Sequence, residues 1–407
     1  MVSIISNPAV AQLAKCYADR FPWYRELIGS GREPQNLALE ELPVVDEAVL
    51  IANYYSAPLD TFADAQVYHT SGTASGQRKR IFYAPDDDNA YVAQRKQLFS
   101  SFAGAARPGE VAVADLGTGH AAAAARRIFS ELGYQAHDVD FQRPIEEHIA
   151  LLNRVRPDIF FTMPMILDRL LQHPDPLRIT PRKIAVVGDL APLAWRRHVA
   201  ERFDIGLDDV LDVYGSIEIG AIGFWCAATG LYHFHDHILP ETVAPNTLSP
   251  AYRDDLDDDC GILLLTSSSR RYFPALRYAT NDVIRGLRRI EWQGRTVHAF
   301  ERIEGRYGGE IKHGERISNH DLTSALAEVF PGAVFEVLND RRLEIRVVVD
   351  RVTEEQRRRV IDHLASSSPD VGQMLRSGLV GEIDVVAIGI DQMISTHAKR
   401  RFNLGRN

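Results

Sequence analysis

The sequence predicts an α/β protein: a parallel sheet with helices, then a β-rich stretch, then a small α+β unit. Three observations predict it. From about residue 110 short apolar runs alternate with longer amphipathic ones, the pattern of βαβ units whose sheet is buried on both faces. From Leu231 to Val297 β-type runs dominate. Gly305-Arg306-Tyr307-Gly308-Gly309 then sets three glycines in five residues, which frees the backbone, and the rest reads as a separate small domain.

The elements follow in order. Val10, Leu13, Ala14, Tyr17 and Phe21 recur at helical spacing until Pro22, and Leu42-Pro43 marks a second break. Ile81-Phe82-Tyr83 reads as the second arm of a hairpin and Asp86 to Phe102 as a helix. Strands are expected at Val111–Ala114, Ile159–Thr162 and Ile184–Val187, with helices over Ala121–Leu132, Glu146–Val155 and Met165–Leu171. Further strands are expected at His233-Phe234, Ile262–Thr266 and Leu276–Tyr278. After the glycines come a helix (His320–Val329), a strand pair (Val334–Val337 and Leu343–Val349), a helix (Thr353–Leu364) and a strand (Val380–Ala387).

At 407 residues the chain is long for one hydrophobic core. A net charge of -9 argues against nonspecific nucleic-acid binding. No apolar run approaches the roughly 20 residues that cross a bilayer, and Met1 to Ser6 lacks the regions of a signal peptide, so a cytoplasmic protein is expected. Cys16, Cys226 and Cys260 are too dispersed for a disulfide framework.

Several stretches carry chemistry. Thr70-Ser71-Gly72-Thr73-Ala74-Ser75-Gly76 offers backbone amides and hydroxyls to phosphate oxygens, with Lys79 or Arg80 to offset their charge; the spacing is not that of a Walker A loop. Gly188-Asp189 leaves the carboxyl end of an expected parallel strand, where such sheets place ligands. Val210 to Gly220 delivers Asp212, Tyr214, Gly215 and Glu218: a flat face for a base, room for a ligand, and a hard oxygen ligand for Mg²⁺. Tyr278-Ala279-Thr280-Asn281-Asp282 sets a carboxylate at a strand end, suited to two ribose hydroxyls. In His233-Phe234-His235-Asp236-His237 alternation puts three histidines on one strand face; with Cys226 and Cys260 this admits a zinc reading, which ranks behind plain hydrogen bonding. Asp254 to Asp259 reads as a solvated loop, and His120 as either a pocket residue or a surface-loop histidine.

In this order the pieces resemble the adenylate-forming superfamily of acyl- and aryl-CoA ligases, adenylation domains and luciferases. Thr70 to Lys79 is similar to its phosphate loop, Tyr214-Gly215-x-x-Glu218 to its Tyr-Gly-x-Thr-Glu motif, and Tyr278-x-Thr280-x-Asp282 to its Tyr-x-Thr-Gly-Asp motif. Gly305-Arg306 with Ile311-Lys312-x-Gly314-x-Arg316-Ile317 resembles its hinge motif, and Lys399 falls where the family has a late catalytic lysine. The short phenylacetate-CoA ligase-like branch is the nearest match: Phe21-Pro22-Trp23-Tyr24-Arg25, Leu42-Pro43, Gly230 to Glu241 and Phe273 to Tyr278 resemble its segments.

The resemblance implies a large N-terminal domain over residues 1–304 holding the ATP and acid site, a hinge at 305–309, and a mobile C-terminal domain over 310–407. It implies that Thr70, Ser71, Gly72, Thr73, Gly76 and Lys79 hold the phosphates, that Thr73 and Glu218 stand near Mg²⁺, and that Tyr214 and Gly215 face adenine with Gly188, Asp189 and Asp212 nearby. Asp282 and Arg306 would hold the ribose, and Lys399 would meet the α-phosphate and acyl oxygen. The expected activity is ATP-dependent formation of an acyl- or aryl-adenylate from a small, aromatic carboxylic acid. The acyl group would then pass to coenzyme A or a phosphopantetheinyl carrier protein. Departures from the family pattern leave two alternatives open: an amine or other nitrogen acceptor, or a noncatalytic nucleotide-binding relative. The phosphate loop has one residue more than usual, Ile217 replaces a Thr or Ser, and Gly308 replaces the hinge Asp.

Overall fold

The computed structural model describes residues 7–69, 79–117, 120–140, 143–309, 311–313, 315–339, 343–367, 371–373, 383–394, 400 and 402. Two compact units emerge, and the chain passes between them: Met1–Leu98, Thr118–Ala121 and Tyr214–Arg302 contribute to the first, the remaining segments to the second.

The chain opens with α1 (Asn7–Arg20) and α2 (Pro22–Ile28). Pro22 was expected only to end a helix; it also begins the next one, because the first helical turn needs no N–H from that position and the proline ring presets φ. Helix α3 (Glu47–Asn53) is capped by Asp46, whose carboxylate accepts from the Val49 amide at 2.8 Å. Strands β1 (Gln66–His69) and β2 (Arg80–Tyr83) form the expected antiparallel hairpin, followed by α4 (Pro85–Ala103).

Next come β3 (Val111–Leu116), α5 (His120–Glu131), β4 (Gln135–Asp140), α6 (Ile145–Val155), β5 (Ile159–Thr162), α7 (Pro164–Gln172), β6 (Lys183–Val187), α8 (Leu193–Phe203) and β7 (Val210–Ser216). The strands lie parallel in the order β7-β6-β5-β3-β4. This is the expected doubly covered sheet, with β5 buried at every residue. Strand β4 was not expected. It is the edge strand, and only Val139 of its six residues is buried, so it has no apolar run to betray it.

Strands β8 (Gly220–Cys226), β9 (Leu231–Phe234) and β10 (Ile238–Val243), helix α9 (Pro245–Leu248), and strands β11 (Cys260–Ser267), β12 (Tyr278–Arg285), β13 (Arg288–Trp292) and β14 (Arg295–Phe300) make the β-rich part. Antiparallel pairs link β13, β14, β9 and β8 in one layer and β10, β11 and β12 in another. Arg277 ties this part to the N-terminal segment: its guanidinium donates to the Leu42 carbonyl at 2.8 Å and pairs with Glu241 at 3.0 Å. Three stretches singled out in the sequence thus meet at one arginine. Arg277 itself has φ +51, so β12 begins at Tyr278, two residues after the start of the run Leu276–Tyr278.

In the second unit β15 (Arg302–Arg306) leads to the hairpin β16 (Ile311–His313) and β17 (Glu315–Ile317), then α10 (Asn319–Val329), β18 (Phe335–Asn339), β19 (Leu343–Val348), α11 (Glu354–Ser367) and β20 (Asp384–Ile388). Strands β18, β19 and β20 form one sheet, antiparallel then parallel. Its core gathers Leu322, Leu326, Phe335, Ile345, Val360, Leu364 and Val385. This small α+β assembly belongs to the same compact unit as the parallel strands. Among the described residues no helix is long and apolar enough to cross a membrane.

Candidate active site

In the first unit the turn between β7 and β8 holds Ile217 and Glu218, and two side chains fix its backbone. The Tyr83 hydroxyl donates to the Ile217 carbonyl at 2.7 Å, and Arg270 Nε donates to the Glu218 carbonyl at 2.8 Å. Arg270 is buried, pairs with buried Asp87 at 2.7 Å, and lies 3.6 Å from the centre of the Tyr83 ring. An arginine so tied is rigid, and the turn inherits that rigidity. The Glu218 side chain is half-buried and makes no hydrogen bond or ion pair among the described residues. A carboxylate presented on a fixed turn without a partner among the described residues fits a hard divalent cation.

Tyr214 and Asp282 are brought together directly: the phenol donates to the carboxylate at 2.5 Å. Asp282 was expected at a strand end and instead lies within β12. The register of β11 and β12 shifts between Ile262 and Leu264, and Asn281 takes φ +63, so a bulge re-aims the residues around it. The Thr280 hydroxyl accepts from the Asp282 amide at 3.0 Å and holds that bulge.

Lys79 pairs with Glu47 and sits 5.2 Å from the Tyr55 ring centre, while Arg80 donates to the Tyr55 carbonyl at 3.1 Å. Lys79 is therefore tied to the first residue of α3 and Arg80 to the segment just after that helix. Thr70, Ser71, Gly72, Thr73, Gly76 and Lys399 lie outside the described residues.

His120 is no surface-loop histidine. It is 3% exposed, meets Asp88 at 2.5 Å through Nε2, and lies 4.1 Å from both the Tyr83 and Tyr91 ring centres. Burial lowers its pKa, outweighing the pull of Asp88 in the other direction.

In the second unit Gly188 closes β6 with φ +86, a conformation that suits glycine. Asp189 follows, and its carboxylate accepts from the Arg400 amide at 3.1 Å. Arg400 also donates to the Leu190 carbonyl at 2.8 Å and to Asp168 at 2.6 Å, while Trp195 Nε1 donates to the other oxygen of Asp168 at 2.7 Å. Burial pushes the Asp168 carboxyl up, and the Arg400 guanidinium draws it back only in part. Asp212 is buried on β7 opposite Val186 of β6, and Arg306 is exposed at the end of β15.

The zinc reading fails on geometry. Strand β9 ends at Phe234, so alternation does not continue to His237, whose Nε2 bonds the Ala221 carbonyl at 2.9 Å. His233 is engaged by the Thr229 hydroxyl at 2.8 Å. Among the described residues the clusters of three metal-type donors are Asp257, Asp259 and Cys260, and Glu304, His320 and Asp321; neither contains Cys226 or His233. Asp257 and Asp259 both pair with Arg285, so the acidic loop is tied by an arginine rather than merely solvated.

Sequence reasoning missed Asp87 with Arg270, Asp88, Arg95, and Asp168 with Arg400. Arg95 did leave a signal: it falls within the stripe Tyr91, Val92, Leu98 and Phe99, all buried, where a charge is out of place.

The chain is 42% identical over 383 residues, 94% of its own length and 95% of the relative's, to a fumarate–(S)-2,3-diaminopropanoate ligase of Enterobacter agglomerans. The chain belongs to this ligase family, within the adenylate-forming superfamily. Residues 312–391 of this adenylate-forming ligase match the family model described as the fumarate–diaminopropanoate ligase C-terminal domain. A phenylacetate-coenzyme A ligase of Thermus thermophilus is 26% identical over 288 residues, 65% of this chain and 61% of that one. The fold is that of a 2-hydroxyisobutyryl-CoA ligase solved in the postadenylation state, with a TM-score of 0.70 over 97% of this chain and 87% of that one at 16% identity. An anthranilate CoA ligase shares the fold at a TM-score of 0.55 over 82% of this chain and 64% of that one, at 14% identity.

Proposed function

We propose that this adenylate-forming ligase joins a small carboxylic acid to an amine, with ATP split to AMP and pyrophosphate. The observation that carries this is the 42% identity, over 94% of the chain, to a ligase named for an acid and a diamino acid. Coenzyme A and carrier-protein thiols, the acceptors expected from the phenylacetate-CoA ligase resemblance, become the second reading. The expected aromatic acid likewise yields to an acid of the fumarate kind, and (S)-2,3-diaminopropanoate is the first acceptor to offer.

The chemistry has two steps. A carboxylate oxygen attacks the α-phosphorus of ATP and pyrophosphate leaves; the amine nitrogen then attacks the acyl carbon, AMP leaves, and the nitrogen gives up a proton to form the amide. Catalysis of the first step is positioning and charge neutralisation. Thr70 to Gly76 and Lys79 are assigned to the phosphates, Tyr214 and Gly215 to adenine with Gly188, Asp189 and Asp212 nearby, Asp282 and Arg306 to the ribose, and Lys399 to the α-phosphate. Glu218, with Thr73, would hold Mg²⁺, which when bound offsets phosphate charge. The Glu218 carboxylate, without a partner among the described residues and on a fixed turn, supports that role. We assign residues 305–309 as a hinge that withdraws Lys399 after adenylation, so that one site serves both steps. ATP–pyrophosphate exchange over a panel of acids tests the first step, and absence of exchange with every acid would overturn it.

A further inference from the structure

Arg95, on the buried side of α4, is 2% exposed, yet its Nε and Nη1 have no hydrogen-bond partner among the described residues. No carboxylate among the described residues pairs with it; its neighbours include the Tyr91 ring, 5.4 Å from the guanidinium carbon. A guanidinium stays charged in a protein, and burying it unpaired costs several kcal/mol. A chain that retains such a group either wastes stability or reserves the charge for an anion supplied from outside.

Three further features favour the anion. His235 is half-buried, but its Nε2 is buried and also has no hydrogen-bond partner among the described residues, so a second polar nitrogen stands unused in the same unit. Burial, reinforced by the charge of Arg95, keeps both His235 and His237 neutral, with His237 pushed down to about 4. A neutral imidazole carries one N–H, which the Nε2 tautomer of His235 would offer for donation. Gly215 makes the room: a Cβ there would stand 2.6 Å from Arg95 Nη2 and 2.7 Å from the Gly220 carbonyl oxygen. The glycine of Tyr214-Gly215-x-x-Glu218 therefore lets a guanidinium lie against the backbone beside the turn assigned to adenylation.

We propose that Arg95, with His235, recognises a second carboxylate on the acid substrate, so that this ligase activates dicarboxylic acids and rejects monocarboxylic ones. The assignment rests on the adenylation reading above and deepens it. One carboxyl group of the substrate is adenylated; the other keeps its charge and supplies what Arg95 lacks. An analogue without that charge leaves a buried cation unpaired, the situation in which binding sites discriminate most strongly.

The test is ATP–pyrophosphate exchange by the full-length chain with fumarate, monomethyl fumarate and crotonate. Wild-type kcat/KM for fumarate should exceed that for either monocarboxylic acid by on the order of a hundredfold or more. Arg95→Met should lose most of the fumarate activity through KM while exchange with the monomethyl ester changes only a few-fold, so the ratio collapses. His235→Phe should lower the same ratio by a smaller factor, and Arg95→Lys should restore part of it. Equal use of fumarate and its ester by the wild type would overturn the assignment without any variant, as would an unchanged ratio in a folded Arg95→Met. Exchange confined to monocarboxylic acids overturns this assignment alone; no exchange with any acid overturns the adenylation reading and this assignment with it.

Discussion

Arg400 and Asp168 form a buried ion pair: Nη2 meets Oδ2 at 2.6 Å, and each side chain is 1% exposed. The pair joins residues 232 positions apart and fixes the residue that follows Lys399 beside the loop after β6. Arg400→Met leaves the buried Asp168 carboxylate uncompensated and should cost about 3–5 kcal/mol of unfolding free energy, whereas Asp168→Asn should cost less, because Asp189 Oδ2 stays 3.5 Å from Arg400 Nη1. The double variant Arg400→Met/Asp168→Leu should lose less than the sum, retaining a cost of about 1–3 kcal/mol because Trp195 Nε1 then has no acceptor. Urea denaturation measures all three; single-variant losses below about 1 kcal/mol would show the pair to be dispensable.

Gly215→Ala places a methyl group against Arg95 and the Gly220 carbonyl at distances no relaxed Cβ occupies. The backbone must move, because the carbonyl belongs to the strand that follows the turn. Loss of about 1–3 kcal/mol of stability is expected, together with loss of pyrophosphate exchange. A variant with unchanged melting temperature and unchanged exchange would show that Arg95 does not lie where it is described.

Stability should fall on mild acidification. The folded-state pKa of His237 is depressed to about 4 by burial, and that of His235 is also depressed, whereas in the unfolded chain both take their ordinary value near 6.5. Their contribution is therefore full above pH 6.5 and is lost as the pH falls from 6.5 towards 4, because the unfolded chain binds protons that the folded chain refuses. For His237 the loss approaches about 3 kcal/mol at pH 4. His237→Gln should flatten the acid limb of a plot of urea midpoint against pH; an acid limb identical to the wild type would refute the linkage.

Glu218→Gln removes the charge from a side chain with no partner among the described residues. Its melting temperature should therefore stay within about 2 °C of the wild type. Exchange should fall by roughly two orders of magnitude or more, with a weaker response to Mg²⁺ concentration. Wild-type exchange in this variant would remove Glu218 from the metal site.

Much of the parallel sheet was legible because β5 and β6 carry the apolar runs Ile159–Phe161 and Ile184–Val187, whereas β4, a polar edge strand, offered no such run. The Tyr214 and Asp282 motifs were legible as residue types but not as a contact. Their meeting depends on a bulge set by pairing with β11, information that lies outside the motif itself. The histidine run misled for the opposite reason: a period of two was extended past Phe234, where the strand ends. Arg95 was legible only as a charge out of place in an apolar stripe, and Arg400 not at all, because burial is decided by what packs on them, Gly215 in one case and Asp168 in the other.

The central claim is that the acyl group goes to nitrogen. The direct measurement incubates the purified chain with ATP, Mg²⁺ and fumarate, offers (S)-2,3-diaminopropanoate and coenzyme A in parallel, and identifies the products by mass. An amide formed in step with AMP, with no thioester, is the predicted result; a thioester with coenzyme A and no amide would contradict it.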